Sequence, residues 1–209
     1  SESVNLIVKK GEPPLFGIRS MDDYMKRVSI GGSLSPGGLL NVSDFLRVSR
    51  YLKRYISSEE DYMVNFPTIS SLIENLSVYK NIEDKINEAI ISEEEISDNA
   101  STKLATIRRN IQKKKESVRG KLNQIVSSDK DLLQDSIVTI REGRYVVPVK
   151  QENKSRVKGL VHDVSSSGQT VYIEPIAVVN LNNELRELAA EEREEIERIL
   201  LELSGMVSE

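Results

Sequence analysis

Apolar residues recur at helical spacing through most of the chain. Leu39, Val42, Phe45, Leu46, Leu52 and Ile56 follow Ser35-Pro36, a capping residue and then the residue best suited to a first helical position. The spacing therefore predicts a helix reaching about Ile56, with Gly37 and Gly38 weakening its first turn. Upstream, Ser20 can cap a short helix over Met21 to Ile30, which Gly31-Gly32 would stop, because glycine tolerates the left-handed C-terminal position. A polar loop, Ser57 to Asp61, precedes Pro67, and two shorter helices are predicted around Ile69 to Leu76 and Ile82 to Ile91. Ser92 and Glu95 have the spacing of a capping box, but Ser97, Asp98 and Ser101 compete as caps. These residues, 1–97, read as a helical core region.

From Ala100 the step lengthens to a heptad: Ala100, Leu104, Ile107, Ile111, Val118, Leu122 and Ile125, with one gap at Lys115. Near the other end Val178, Leu181, Leu185, Leu188, Ile196, Ile199, Leu203 and Met206 repeat the pattern, with one gap at Glu192. Laid antiparallel, Ile125 meets Val178, Leu122 meets Leu181, Val118 meets Leu185, Ile107 meets Ile196, Leu104 meets Ile199 and Ala100 meets Leu203. The two gaps fall in adjacent layers, where Lys115 and Glu192 can meet diagonally. Mirrored heptads predict an antiparallel coiled-coil arm ~40 Å long at ~1.5 Å per residue, ascending over 98–134 and descending over 177–209.

Between the helices, over 135–176, the period changes to that of strands. IVTIR (137–141) and RYVVPVK (144–150) flank Glu142-Gly143, and GLVHDVS (159–165) and QTVYIEP (169–175) flank Ser166-Ser167-Gly168, each a hairpin signal. Pro148 belongs at an edge or a bulge, since it has no N–H for a ladder. The expected fold class is thus mainly α, a helical core plus a long arm carrying a four-stranded β module at its tip. Four short strands are a thin source of stability, so arm and module should depend on each other.

Composition narrows the chemistry. The 209 residues hold 30% charged and only 5% aromatic side chains, which suits long solvated helices. No cysteine and one histidine, His162, exclude thiol nucleophiles, disulfides and two-histidine metal sites. No apolar stretch approaches the ~18 residues that span a bilayer, and the start has no signal-peptide core, so a soluble, cytoplasmic protein without a membrane partner is expected. The net charge of −4 conceals a sorting of signs. Residues 103–121 carry eight cations and one acid, whereas 184–202 carry eight glutamates and three arginines. Two readings of the basic run stay open: it pairs with the acidic helix alongside it, or it meets nucleic acid.

The β module is the stronger contact candidate. Arg141, Arg144, Lys150, Lys154, Arg156 and Lys158 outnumber Glu142, Glu152, Asp163 and Glu174, and loop cations can reach phosphates without burying apolar surface. Tyr145 and Tyr172 either stack on bases or fill the module's core. No catalytic constellation is visible. Gly120-Lys121 lacks the upstream glycine of a phosphate loop and lies in a predicted helix. His162-Asp163 beside Ser165, Ser166 and Ser167 reads as a hydrogen-bonding turn, since an alternating strand points neighbours to opposite faces and there is no elbow to expose a serine.

GEPPLFGI (11–18), GGSLSP (31–36), IVTIREGRYVVPVK (137–150), GLVHDVSSSGQTVYIEP (159–175) and NNELREL (182–188) resemble the second bacterial MutS paralogue, the branch of the mismatch-repair MutS superfamily that usually ends in an Smr domain. Gly37-Gly38 after LSP departs from the helix-forming residues of that pattern. The resemblance implies core, lever helices and clamp, in agreement with the arm and tip read from periodicity. It implies that ATPase and Smr endonuclease domains would follow residue 209, with ATP and Mg bound there and no cofactor or metal in this chain. The absence of an initiator Met supports an excised, non-catalytic fragment. The parent is then expected to be a homodimeric ATPase that engages branched DNA or the ribosome and its rRNA, in recombination control or rescue of stalled translation. Mismatch reading is not implied, because this branch lacks the mismatch-reading domain. A protein-interaction or dimerisation arm without nucleic-acid contact is the alternative reading.

Overall fold

A computed structural model describes residues 1–58 and 61–208, so part of the expected 57–61 loop, together with Glu209, lies outside the described residues. The fold is mainly α with a small β module. The chain divides into two compact units, Ser1–Thr102 with the stretch from Ile196 onward, and Lys103–Glu195. No helix among the described residues is long and apolar enough to cross a membrane.

The first unit holds α1 (Glu2–Lys10), α2 (Asp22–Ser29), α3 (Pro36–Ser57), α4 (Tyr62–Asn65), α5 (Pro67–Glu74), α6 (Lys80–Ala89), the hairpin strands β1 (Ile90–Ser92) and β2 (Glu95–Ile96), and the end of α8 (Ile176–Ser208). α3 starts where the sequence places it. Ser35 accepts the Gly38 amide at 3.1 Å and Pro36 opens the helix. Its two glycines answer a packing need, since a Cβ on Gly37 would lie 3.2 Å from the Glu93 side chain and one on Gly38 would lie 3.3 Å from the Tyr24 ring.

Other local expectations need correcting. Met21, not Ser20, holds the cap position of α2, although Ser20 Oγ still accepts the Asp22 amide at 3.4 Å. The Ser92–Glu95 capping box does not form, because Ser92 Oγ accepts from the Glu94 amide at 3.3 Å inside the β1–β2 turn. Leu39 and Ile86 are fully buried, and Leu6, Ile56, Phe66 and Ile73 make a second apolar cluster. Between α3 and α6, Arg50 grips Glu83 through two bonds of 3.0 and 2.8 Å.

The second unit is built from α7 (Thr102–Ser128), β3 (Thr139–Arg141), β4 (Arg144–Lys150), β5 (Gly159–Val164), β6 (Thr170–Pro175) and the first part of α8. The antiparallel sheet has the order β3-β4-β6-β5. Glu142 and Gly143 both take positive φ, 50° and 74°, as a two-residue primed hairpin turn requires. Pro148 lies in a central strand, but beyond the end of β3, whose register stops at Val146. Its carbonyl accepts the Gln134 amide at 2.9 Å, so the missing N–H faces that same side and the pairing with β6 loses nothing. One core cluster joins Val118, Leu122 and Val126 of α7, Val147 and Val149 of β4, Val171 and Ile173 of β6 and Val178 of α8, with Ile125, Leu181 and Leu185 packed against it.

Candidate nucleic-acid interface

The six cations singled out in the β module fall into two groups. Arg141 is engaged within the sheet, and Arg144 by the sheet and α8. The Arg141 guanidinium stacks 4.0 Å from the Tyr172 ring centroid and pairs with Asp163 at 3.2 Å. Arg144 donates from Nη1 to Glu174 Oε1 and from Nη2 to Asn183 Oδ1, both at 2.7 Å, leaving its side chain only 14% exposed. Its charge is already matched by a fully buried carboxylate, so it is a framework residue. Tyr145 likewise fills the core and is not an open stacking surface.

The loop cations are different. Lys150 ends β4, and its Nζ donates to the Asp131 carbonyl at 3.2 Å, a contact that leaves the positive charge without a counter-ion among the described residues. Past it the chain makes a 3-10 stretch over Gln151–Arg156, which presents Lys154 and Arg156, with Lys158 following. All three are exposed, and none has a carboxylate within ion-pair distance among the described residues. Lys150 also borders a shallow polar hollow with Gln134, Gln151 and Gln169.

Charge compensation along α7 is partial. Lys103 meets Glu195 at 3.2 Å, Arg108 meets Glu192 at 2.7 Å, and Lys114 meets Glu184. The pairs move up α8 as they move down α7, so the two helices run antiparallel within this unit. Glu192, expected diagonal to Lys115, is held by Arg108. Arg119 lies 5.9 Å from the Tyr145 ring centroid. Arg109, Lys113, Lys115 and Lys121 are exposed without such pairs among the described residues. Glu187, Glu191 and Glu194 on α8 likewise have no ion-pair partner among the described residues.

His162 corrects the alternating-strand expectation. The β5–β6 register shifts between Val161 and Asp163, so His162 sits in a bulge and turns inward. Its Nε2 lies 2.6 Å from Glu174 Oε2, and its Nδ1 lies 3.8 Å from the Glu142 carboxylate. Glu174 Oε1 also accepts from Asn182 Nδ2 at 2.8 Å. Burial pushes the Glu174 carboxyl up, but bonds from Asn182, His162 and Arg144 outweigh it and hold the group below the usual carboxylate range. Asn182 goes further, donating to the Tyr145 carbonyl at 3.0 Å and accepting its amide at 3.3 Å. Periodicity passed over Asn182 and Asn183. The signal was an amide pair beside the apolar Leu181 position, which a purely solvated helix face does not need.

The serines of 165–167 serve the turn. Ser165 Oγ accepts the Thr170 amide at 3.0 Å, and Ser167 Oγ accepts that of Gln169 at 3.4 Å. Gly120-Lys121 lies inside α7, where its amides belong to the helix ladder and do not fit a nucleotide phosphate. No three acidic or imidazole groups converge on a metal position among the described residues.

Scanned against protein-family models, the chain matches none. Against curated proteins the similarity runs end to end. The chain is 53% identical to Endonuclease MutS2 of Clostridioides difficile (strain 630), covering 100% of the chain and 27% of the relative. It is 46% identical to Endonuclease MutS2 of Alkaliphilus oremlandii over the same shares, and 47% identical to that of Acetivibrio thermocellus over 99% of the chain and 26% of the relative. The chain thus spans about a quarter of the length of the relatives it matches. Identity near one half over the whole length of the chain places it in the MutS2 family over the stretch of those proteins that it spans.

Proposed function

We propose that this chain is the non-catalytic core, lever and clamp portion of a MutS2-type protein, and that its clamp grips nucleic acid. In this reading α7 and α8 form a coiled-coil lever, and the four-stranded sheet with its loops is the clamp. The observation that carries it is the set of loop cations, Lys150, Lys154, Arg156 and Lys158, whose charges have no carboxylate partner among the described residues. Uncompensated cations on a loop recruit phosphates, releasing condensed counter-ions. Arg141 and Arg144 support the platform from which that loop projects. The substrate is branched DNA or the rRNA of a ribosome, because phosphate contacts carry no sequence information and serve either. In a full-length protein of this family, by resemblance, an ATPase domain using ATP and Mg and an Smr endonuclease domain supply the chemistry. The lever then couples ATP-driven motion to the grip, in a homodimer that acts in recombination control or ribosome rescue.

Salt-dependent binding of the chain to branched DNA and to ribosomes tests this. Retention of either at physiological salt supports a grip and identifies the substrate. Loss of both, with self-association in solution, favours an interaction or dimerisation arm, for which the unpaired Glu187, Glu191 and Glu194 are the supporting observation.

A further inference from the structure

We infer that Asn182, Glu174, Arg144 and His162 form a polar lock that makes the four-stranded sheet and the first turns of α8 one rigid body, against which α7 is the element that shifts. This concerns how the second unit moves and does not depend on what the loop cations bind.

The sheet is tied to α8 twice. The first tie is covalent: β6 ends at Pro175 and α8 begins at Ile176, with no linker between them. The second lies about two turns along the helix. There the Asn182 amide grips both the N–H and the C=O of Tyr145, at 3.3 and 3.0 Å, as a neighbouring strand would. The same side chain donates to Glu174 at 2.8 Å, and Arg144 bridges Glu174 to Asn183 with two bonds of 2.7 Å. His162 closes the cluster at 2.6 Å. Two attachment points along one helix fix both its position and its rotation. Glu174 and Asn182 are 0% and 1% exposed, and no buried side-chain polar atom among the described residues lacks a partner. Displacing α8 against the sheet would therefore leave several buried polar groups unsatisfied at once.

α7 is held differently. It reaches the sheet through residues 129–138, and its contribution to the shared core is the apolar set Val118, Leu122 and Val126. Apolar contacts are non-directional and tolerate small shifts. Its directional contacts to α8, Lys103 with the buried Glu195, Arg108 with Glu192 and Lys114 with Glu184, each start from a long, flexible α7 side chain that can follow a moving partner.

The chain has no cysteine, so spin labels can be placed freely. The pair Leu160→Cys and Glu187→Cys reports sheet against α8, and Leu160→Cys with Lys113→Cys reports sheet against α7, all at exposed positions. The expected distance distribution for the sheet–α8 pair is narrower than that for the sheet–α7 pair. Asn182→Ala should broaden it to the sheet–α7 width while helicity by circular dichroism is retained. A sheet–α8 distribution as broad as the sheet–α7 one in the unsubstituted chain, or one that stays narrow in a folded Asn182→Ala, overturns the lock. If Asn182→Ala does not fold, Asn183→Ala decides, because its exposed amide can be removed without opening the core. Partial broadening there supports the lock and an unchanged width overturns it.

Discussion

Glu174 shows how a side chain with no solvent exposure keeps its charge. Arg144, Asn182 and His162 supply three directed contacts, and together they outweigh the burial that would otherwise neutralise it. Removing the carboxylate leaves a guanidinium and an amide facing an emptied pocket, so Glu174→Ala should lower unfolding stability by about 3–5 kcal/mol, measured by urea titration at neutral pH. The pH dependence has a definite sign. A carboxyl held below its unfolded value stabilises the fold above the ordinary carboxylate range and loses that contribution as pH falls through its depressed value. The stability gap between the natural chain and Glu174→Gln should therefore be full at neutral pH and shrink below about pH 4.5. A gap that widens in acid would contradict this. Glu142 is a gentler case. A non-glycine residue at φ 50° is strained, and Asn is the residue that best tolerates that position before Gly143. Glu142→Asn should raise the melting temperature, with a gain under about 1 kcal/mol, since the interaction given up with His162 is 3.8 Å long.

At the scale of elements, the readable parts are those whose cause is local. Ser35-Pro36 begins a helix because a hydroxyl and a fixed φ do so in most contexts, and Glu142-Gly143 turns a hairpin because two positive φ values suffice. The β1–β2 hairpin was not legible, because strands of three and two residues have too few positions for a period to register. Nor was α1, or the bulge at His162, which is a decision of two strands about their register and not of either sequence alone. Glycines separate the two kinds of cause. Gly159 begins β5 so close to β6 that a Cβ would lie 2.2 Å from the Glu174 carbonyl oxygen. Gly159→Ala must push the strands apart beside the buried carboxylate, and should destabilise by about 1–3 kcal/mol or more, with weaker amide protection in β5. Gly120 sits inside α7 with nothing within 4 Å of an added Cβ. There the same substitution should stabilise by about 0.5–1 kcal/mol, visible as a higher melting temperature.

At the scale of the whole molecule the question is where the charge goes. Residues 103–121 carry the larger positive excess, and sequence alone leaves open whether the acidic helix absorbs it or nucleic acid does. The structure divides the run: Lys103, Arg108 and Lys114 pair with glutamates of α8, while Arg109, Lys113, Lys115 and Lys121 remain open to solvent. The loop set Lys150, Lys154, Arg156 and Lys158 is shorter, but its charges have no carboxylate partner among the described residues and crowd into nine residues of chain. Phosphates answer to local density of unmatched charge, and neighbouring open glutamates on α8 oppose an approach to the helix pair. Replacing the four loop residues by alanine should therefore leave the melting temperature nearly unchanged, since the bond it removes is the exposed one from Lys150 to Asp131. Nucleic-acid affinity should fall across all sequences, and the slope of log K against log salt should flatten by about 0.9 for each duplex phosphate that is no longer neutralised. Replacing Lys113, Lys114, Lys115 and Arg119 removes one ion pair and one ring contact, so a modest drop in stability with binding largely kept is expected. Binding abolished by the helix variant and kept by the loop variant would move the interface onto α7.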